Sequence, residues 1–352
     1  MKLYLLFLSL VLILFNCTAQ NIPLYIGTYT KGDSEGIYRF EFNTKTGDLS
    51  NKQLVATIEQ PSFISYNLDR THIYAVSEVN DGYISAYKVE DTGKLTFLNK
   101  VSVNGDIPCH ISFNYKGEMA VSNYGSGNVS LYTMSNNGAL NEAFQIFDHN
   151  TENKKARAHA AHFFNDELYI ADFGRNAVYY YKLKDDVYKL ESPAIVKTTG
   201  NPGPRHFTLT NNGQYIYIIN EQSSSITSVK RTDTGFEQID YDTTLDEKFK
   251  GKSYCADIHL SKDERFLYGS NRGENSIAVF ERNTKTGTIN KIQSISTHGN
   301  YPRNFTLDPS GEFLLVANQI SNNISIFKVN KTTGTIEFLK DYKAPTPVCL
   351  LF

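Results

Sequence analysis

Seven times along the chain a short run of β-branched and aromatic residues recurs, ending at a polar or aromatic position before a turn. The copies are Leu24-Tyr-Ile-Gly-Thr-Tyr, Ile73-Tyr-Ala-Val-Ser-Glu, Met119-Ala-Val-Ser-Asn-Tyr, Leu168-Tyr-Ile-Ala-Asp-Phe, Ile216-Tyr-Ile-Ile-Asn-Glu, Leu267-Tyr-Gly-Ser-Asn-Arg and Leu314-Leu-Val-Ala-Asn-Gln. Their starts lie roughly 46 to 51 residues apart, a spacing that suits one four-stranded unit. A unit of this size cannot bury its apolar faces alone, so the copies must pack on one another.

Each run is followed by a polar turn and an alternating partner, as in Asn275-Ser-Ile-Ala-Val-Phe and Asn323-Ile-Ser-Ile-Phe-Lys, which makes an antiparallel hairpin. Tight turns come next. Thr46-Gly47, Thr92-Gly93, Thr286-Gly287 and Thr333-Gly334 put glycine where positive φ is needed. A further set of segments leads into each unit: Pro61-Ser-Phe-Ile, Pro108-Cys-His-Ile, Ala158-His-Ala-Ala, Pro204-Arg-His-Phe, Cys255-Ala-Asp-Ile, Pro302-Arg-Asn-Phe and Pro347-Val-Cys-Leu. The last has no second strand after it, while the first unit, beginning at Leu24, has no inner strand before it. Pairing the C-terminal segment into the first unit supplies the missing strand and closes a ring. The expected fold is therefore all-β, a seven-bladed β-propeller of four-stranded antiparallel blades. An open solenoid would need capping units and has no use for a split repeat.

Composition agrees. Among 352 residues there are 23 Tyr and 22 Phe but no Trp, a bias that suits pleated surfaces. With 35 Lys and Arg against 37 Asp and Glu, no overall field draws nucleic acid or an anionic membrane. Cys109, Cys255 and Cys349 are scattered too widely for a disulfide framework or a zinc site and read as small core residues.

Lys2 precedes an apolar run from Leu3 to Phe15, too short to span a bilayer comfortably, which reads as a signal peptide. Cys17 follows in a loose lipoprotein processing site, and cleavage after Ala19 is the rival. Residues 1–19 are thus expected to direct export to the periplasm, with a lipid on Cys17 as the sole membrane attachment. Residues 20–352 are expected to form one propeller domain, a monomer.

Equivalent positions of the inner strands converge at one mouth of a propeller's channel. After the Pro, or its equivalent, stand Ser62, Cys109, His159, Arg205, Ala256, Arg303 and Val348; next come Phe63, His110, Ala160, His206, Asp257, Asn304 and Cys349. The neighbouring strands end at Glu78, Asn123, Asp172, Glu221, Arg272 and Gln319, and antiparallel pairing returns those ends to the same mouth. A concave site with convergent His, Arg and Glu is the default place for a small ligand, although a watery channel would also be lined by polar side chains. Metal chemistry is not expected. His159 and His162 are three apart, which on a regular strand sends them to opposite faces, and Asp257 with His259 lacks a third ligand. No phosphate-binding or dinucleotide-binding glycine motif has its proper context.

Gly203-Pro-Arg-His-Phe, the run from Asn212 to Glu221, Ala256-Asp-Ile-His with Ser270-Asn-Arg272, and Tyr301-Pro-Arg-Asn-Phe with Val316-Ala-Asn-Gln319 together resemble the seven-bladed lactonase family. That family includes propeller-type 6-phosphogluconolactonases and a carboxymuconate lactonizing enzyme. The resemblance implies a cofactor-free hydrolase opening a small, anionic sugar lactone, with catalytic residues His159, Arg205, Glu221 and Arg272. This chain has Arg157 where the family often places a first histidine. His110, His206, Asp257, Arg303 and Gln319 are expected to contact substrate. Glu221 or neutral His159 would be the base that activates water, and the arginines would stabilise the oxyanion or grip an anionic group. A lyase on the same scaffold and a non-catalytic binding propeller are the alternatives.

Overall fold

The computed structural model describes residues 20–197 and 201–352, without the side chains of 192–197. The expected leader, with Lys2, the apolar run, Cys17 and Ala19, lies outside the described residues. These fold into seven four-stranded antiparallel sheets, and no helix among them is long and apolar enough to cross a membrane.

Closure of the ring is as expected. The strand Pro347–Leu351 pairs antiparallel with Asn21–Thr28, so the first blade takes its inner strand from the C-terminus and its other three from the N-terminus. On its other flank Leu350 N–H donates to Asn304 Oδ1 in the seventh blade at 2.7 Å. The two ends of the chain are thereby locked together without leaving an open edge.

The core lies in the wedges between blades. Between the seventh and first, Phe313, Leu315 and Ile324 meet Leu24, Ile26, Phe40 and Phe42, and comparable clusters fill the other wedges. A tyrosine latch repeats around the ring in four of the five Leu/Ile-Tyr pairs that open the recurring runs, while the fifth, Tyr169, donates to Glu167 instead. Tyr25, Tyr74, Tyr217 and Tyr268 are fully buried, yet each hydroxyl donates to a turn carbonyl of the next blade, at Gly93, Gly138, Gly287 and Gly334, over 2.8 to 2.9 Å. Burying a tyrosine hydroxyl without a partner would be costly, so each apolar ring carries its own geometric restraint. The turn glycines Gly93, Gly287 and Gly334 have φ of +77°, +80° and +76°, where a side chain would strain the backbone. Cys109, Cys255 and Cys349 are unpaired and buried.

Candidate active site

One backbone irregularity, repeated from blade to blade, builds the mouth. Where the inner strand begins in five of the seven blades, the ladder skips a single residue: Pro204 pairs with Asn220 but His206 with Ile219, leaving Arg205 as the extra residue of a β-bulge. The same shift leaves out Cys109, His159, Arg303 and Val348. A bulge bends its strand and re-aims the unpaired side chain, here toward the channel mouth. The residue before the Pro is also held at positive φ, as in Ile107 (53°) and Tyr301 (68°). For a β-branched residue such as Ile107 that conformation is strained, and the surrounding ladder must hold it.

Arg205, Glu221 and Arg272 come together as expected. Glu221 follows the strand Tyr215–Asn220, and its Oε2 lies 2.8 Å from Arg272 Nη2 and 3.1 Å from Arg205 Nε. Backbone carbonyls fix the two guanidiniums: Arg205 Nη1 donates to Ala256 O at 2.5 Å, and Arg272 Nη2 to Cys255 O at 2.8 Å. Burial, the largest influence on Glu221, pushes its carboxyl up, but Arg272 and Arg205 overcome this and hold it below the usual carboxylate range. Burial and the neighbouring Arg272 and Arg303 bring Arg205 down to about 10, still fully charged at neutral pH. The ring of Tyr301 lies under Arg272, 5.3 Å from its guanidinium carbon.

His159 sits on the adjoining blade, buried between Tyr124 (ring centroids 5.4 Å apart) and His206 (5.2 Å). Burial first, then Arg205 and His206, depress its pKa well below the ordinary value, so it is neutral at physiological pH. Its Nδ1 is 3.7 Å from the Cys109 sulfur, and Nε2 forms no hydrogen bond with the described residues. Arg157, in the place of a histidine, donates to the carbonyls of Tyr124 and Gly125 and packs over the Tyr124 ring, backing the wall on which His159 rests.

Behind these groups runs a buried chain. His206 Nε2 meets Arg205 Nη1 at 3.1 Å, its Nδ1 meets Asp257 Oδ1 at 2.8 Å, and Asp257 Oδ2 takes bonds from His259 (3.1 Å) and Asn304 (2.5 Å). Asp257, expected beside the substrate, therefore has both oxygens engaged and buttresses His206 instead. His110 lies deeper, packed against Phe63, His162 and His206. His159 and His162 are not sent apart: His159 is itself the extra residue of the bulge and escapes the strand's alternation, and His162 touches His110 while His159 touches His206 in one aromatic cluster.

Arg303 has partners that the sequence did not suggest. Its Nη2 is 3.7 Å from Glu78 Oε1, it covers the Tyr29 ring at 5.3 Å, and the Tyr29 hydroxyl donates to both Glu78 oxygens at 2.8 and 2.9 Å. The signal was present, since Tyr29 and Glu78 stand in the same repeat position as Glu221 and Arg272. That position also holds Tyr124 and Phe173; Asn123 and Asp172 stand one residue earlier and serve the structure. Asn123 donates to Val103 O, and Asp172 accepts from the Arg157 and Arg175 amides and faces His149. Gln319 borders a hollow beside Tyr29 and Glu78. A separate hollow of about 250 Å³, lined mainly by apolar side chains such as Phe266, Tyr268 and Leu307, lies at the far ends of the strands, away from these charges.

Comparison with known proteins agrees with this architecture. A 6-phosphogluconolactonase of Bacillus subtilis is 33% identical over 298 residues, 81% of this chain and 85% of its own. One from Formosa agariphila is also 33% identical, covering 82% of this chain and 87% of its own. Among solved structures, a periplasmic gluconolactonase of Pseudomonas aeruginosa superposes with a TM-score of 0.88 at 25% identity, covering 94% of this chain and 99% of that one. A putative 6-phosphogluconolactonase from Bacteroides uniformis gives 0.86 at 32%, with the same coverages. The family model for the lactonase, 7-bladed beta-propeller, matches residues 23–352, and the chain belongs to that family.

Proposed function

We propose that the protein is a lactone hydrolase that opens a sugar lactone at the mouth formed by His159, Arg205, Glu221 and Arg272. The observation that carries this reading is the single carboxylate of Glu221 clamped between two buried guanidiniums beside a neutral histidine. Its relatives' names point the same way.

In this reading water attacks the lactone carbonyl carbon while His159 Nε2 accepts its proton. Glu221 is engaged by both arginines, whereas His159 is neutral and its Nε2 makes no hydrogen bond with the described residues, so the histidine is the group free to take the proton. The developing oxyanion meets the outer N–H groups of Arg272 and Arg205, fixed in advance by Glu221 and the carbonyls of Cys255 and Ala256. Collapse breaks the ring C–O bond, and the proton on His159 passes to the departing oxygen. Water is thus added across the ester with no redox change. Glu221 orients and His159 transfers the proton. Release of acid from a lactone, followed at constant pH and corrected for spontaneous opening, tests the reading.

We further infer export, from the leader of residues 1–19 and from the periplasmic source of one structural relative. Lipidation of Cys17 would tether the mature protein to a membrane without spanning it. Cys17→Ser should then release it into the soluble fraction; membrane association that survives this change excludes the lipid anchor.

A further inference from the structure

Tyr124 follows the strand Met119–Asn123 and stands at the repeat position that Glu221 and Arg272 occupy in their own blades. Its backbone and ring are fixed from several directions. The Tyr124 amide donates to Ile107 O at 3.0 Å, and its carbonyl accepts from Arg157 Nη1 at 3.4 Å. The Arg157 guanidinium lies 5.1 Å from the ring centroid, Phe173 packs at 6.2 Å, and the His159 imidazole meets the ring edge-on at 5.4 Å. Only the hydroxyl is uncommitted. Tyr124 is half-buried, yet its hydroxyl forms no hydrogen bond with the described residues, just as His159 Nε2 forms none. Burial first, then Glu221, raises its pKa above the ordinary tyrosine value against the weaker pull of Arg157 and Arg205. The phenol therefore keeps its proton at neutral pH, within electrostatic reach of the arginine–glutamate centre.

We propose that Tyr124 is a further catalytic residue, whose hydroxyl gives a proton to the ring oxygen that departs when the lactone opens. The inference rests on the lactonase reading and assigns the group that completes the reaction.

Its basis is a chemical need beside an unused donor. The alcohol released from an aliphatic lactone has a pKa near that of water, about 15.7, so its oxygen leaves readily only if it is protonated as the bond breaks. One imidazole serving both the attacking water and the departing oxygen would have to shift between them, and His159 is buried between Tyr124 and His206. Tyr124, in ring contact with His159, offers the second donor on the same wall. As the ester C–O bond breaks, the Tyr124 proton goes to the departing oxygen, and the proton that His159 took from water then restores the phenol. One water is added, tyrosine and histidine end as they began, and nothing is oxidised or reduced. Arg157, over the ring face, favours the negative charge that Tyr124 carries in passing.

The test is Tyr124→Phe in the full mature chain, which keeps the ring against Arg157, Phe173 and His159 and deletes the hydroxyl. Glucono-1,5-lactone, which releases an alcohol, is compared with dihydrocoumarin, a lactone of the same ring size that releases a phenol of pKa about 10 and needs no acid. The expected result on the first is a loss of about 10² or more in kcat at unchanged KM and melting temperature, and on the second a loss of no more than a few-fold. Tyr124→Phe combined with His159→Gln should be little slower than His159→Gln alone, because groups that act as a unit do not add. Full kcat on glucono-1,5-lactone by the folded Tyr124→Phe protein, or an equal loss on both lactones, overturns the inference while leaving the lactonase reading intact. Failure of the parent to open either lactone overturns the lactonase reading and the inference with it.

Discussion

Arg205 Nη1 lies 3.1 Å from His206 Nε2, and this contact decides which nitrogen of the imidazole carries the proton. A guanidinium has no acceptor, so Nε2 must be bare and Nδ1 must donate to Asp257, 2.8 Å away. Burial, reinforced by Arg205, brings the His206 pKa down to about 4, which keeps the ring in that neutral form. In the proposed mechanism Asp257 and His206 position Arg205. His206→Phe, which can neither accept from Arg205 nor donate to Asp257, should lower kcat by roughly tenfold or more, as loss of an orienting partner commonly does. His206→Gln offers both an acceptor and a donor and should recover part of that loss. Equal kcat in the two variants would count against the positioning role.

Glu221 and His159 should separate when stability and rate are measured together. Glu221→Gln leaves two guanidiniums facing each other without a compensating charge. Removing one partner of a buried pair costs about 3 to 5 kcal/mol, and less here because the Glu221 side chain keeps 20% of its exposure. Melting temperature and turnover should both fall. His159→Gln removes the proton acceptor but no charge pair, so turnover should fall with little change in melting. If Glu221→Gln melted like the parent and retained its rate, the clamp would have no function.

Acid should loosen the fold before the carboxylates titrate. His206 is held at about 4 and His162 at about 3, chiefly by burial, and His110 and His159 are also well below the ordinary value. An unfolded histidine titrates near about 6.5. As pH falls from about 6.5 to about 4, the unfolded chain binds protons that the folded one refuses, so stability drops. It is fully present above about 6.5. His259 works in the opposite sense: burial lowers its pKa, but Asp257 overcomes this and raises it. It is one ring against four. Melting curves across this range should show the decline, and a flat profile would contradict buried neutral histidines.

The C-terminal strand should be indispensable. Deleting residues 347–352 removes the ladder of Tyr25–Thr28 with Pro347–Leu351 and the bond from Leu350 to Asn304, exposing a long inner edge. The truncated chain should aggregate or melt far below the parent; unchanged melting would mean that the ring does not need its closure.

The fold was legible because its signals repeat. Turn glycines, Leu/Ile-Tyr runs and the orphan segment at Pro347 recur at a fixed period, so each copy corroborates the others. Arg205, Glu221 and Arg272 could be brought together by that alignment because the register of two adjacent strands fixes where their ends meet. The bulge could not. One extra residue in the inner strand alters no hydrophobic pattern, yet it turns Arg205 and His159 toward the mouth and defeats the alternation that would separate His159 from His162. Tyr29 and Glu78 were visible in the repeat but had no reason to be chosen, because their meaning comes from Arg303, which reaches them from the far side of the ring junction.

The central claim is that this mouth opens lactones with His159 as the base, and its most direct test is acid release at constant pH by the parent protein and by His159→Gln. The account predicts lactone opening well above the spontaneous rate by the parent, and a loss of about 10² to 10⁴ in kcat for the variant at unchanged melting temperature. It also predicts a kcat/KM profile with no inflection near pH 6.5, because His159 is already neutral there. No opening by the parent, or full turnover by a folded His159→Gln protein, would contradict it.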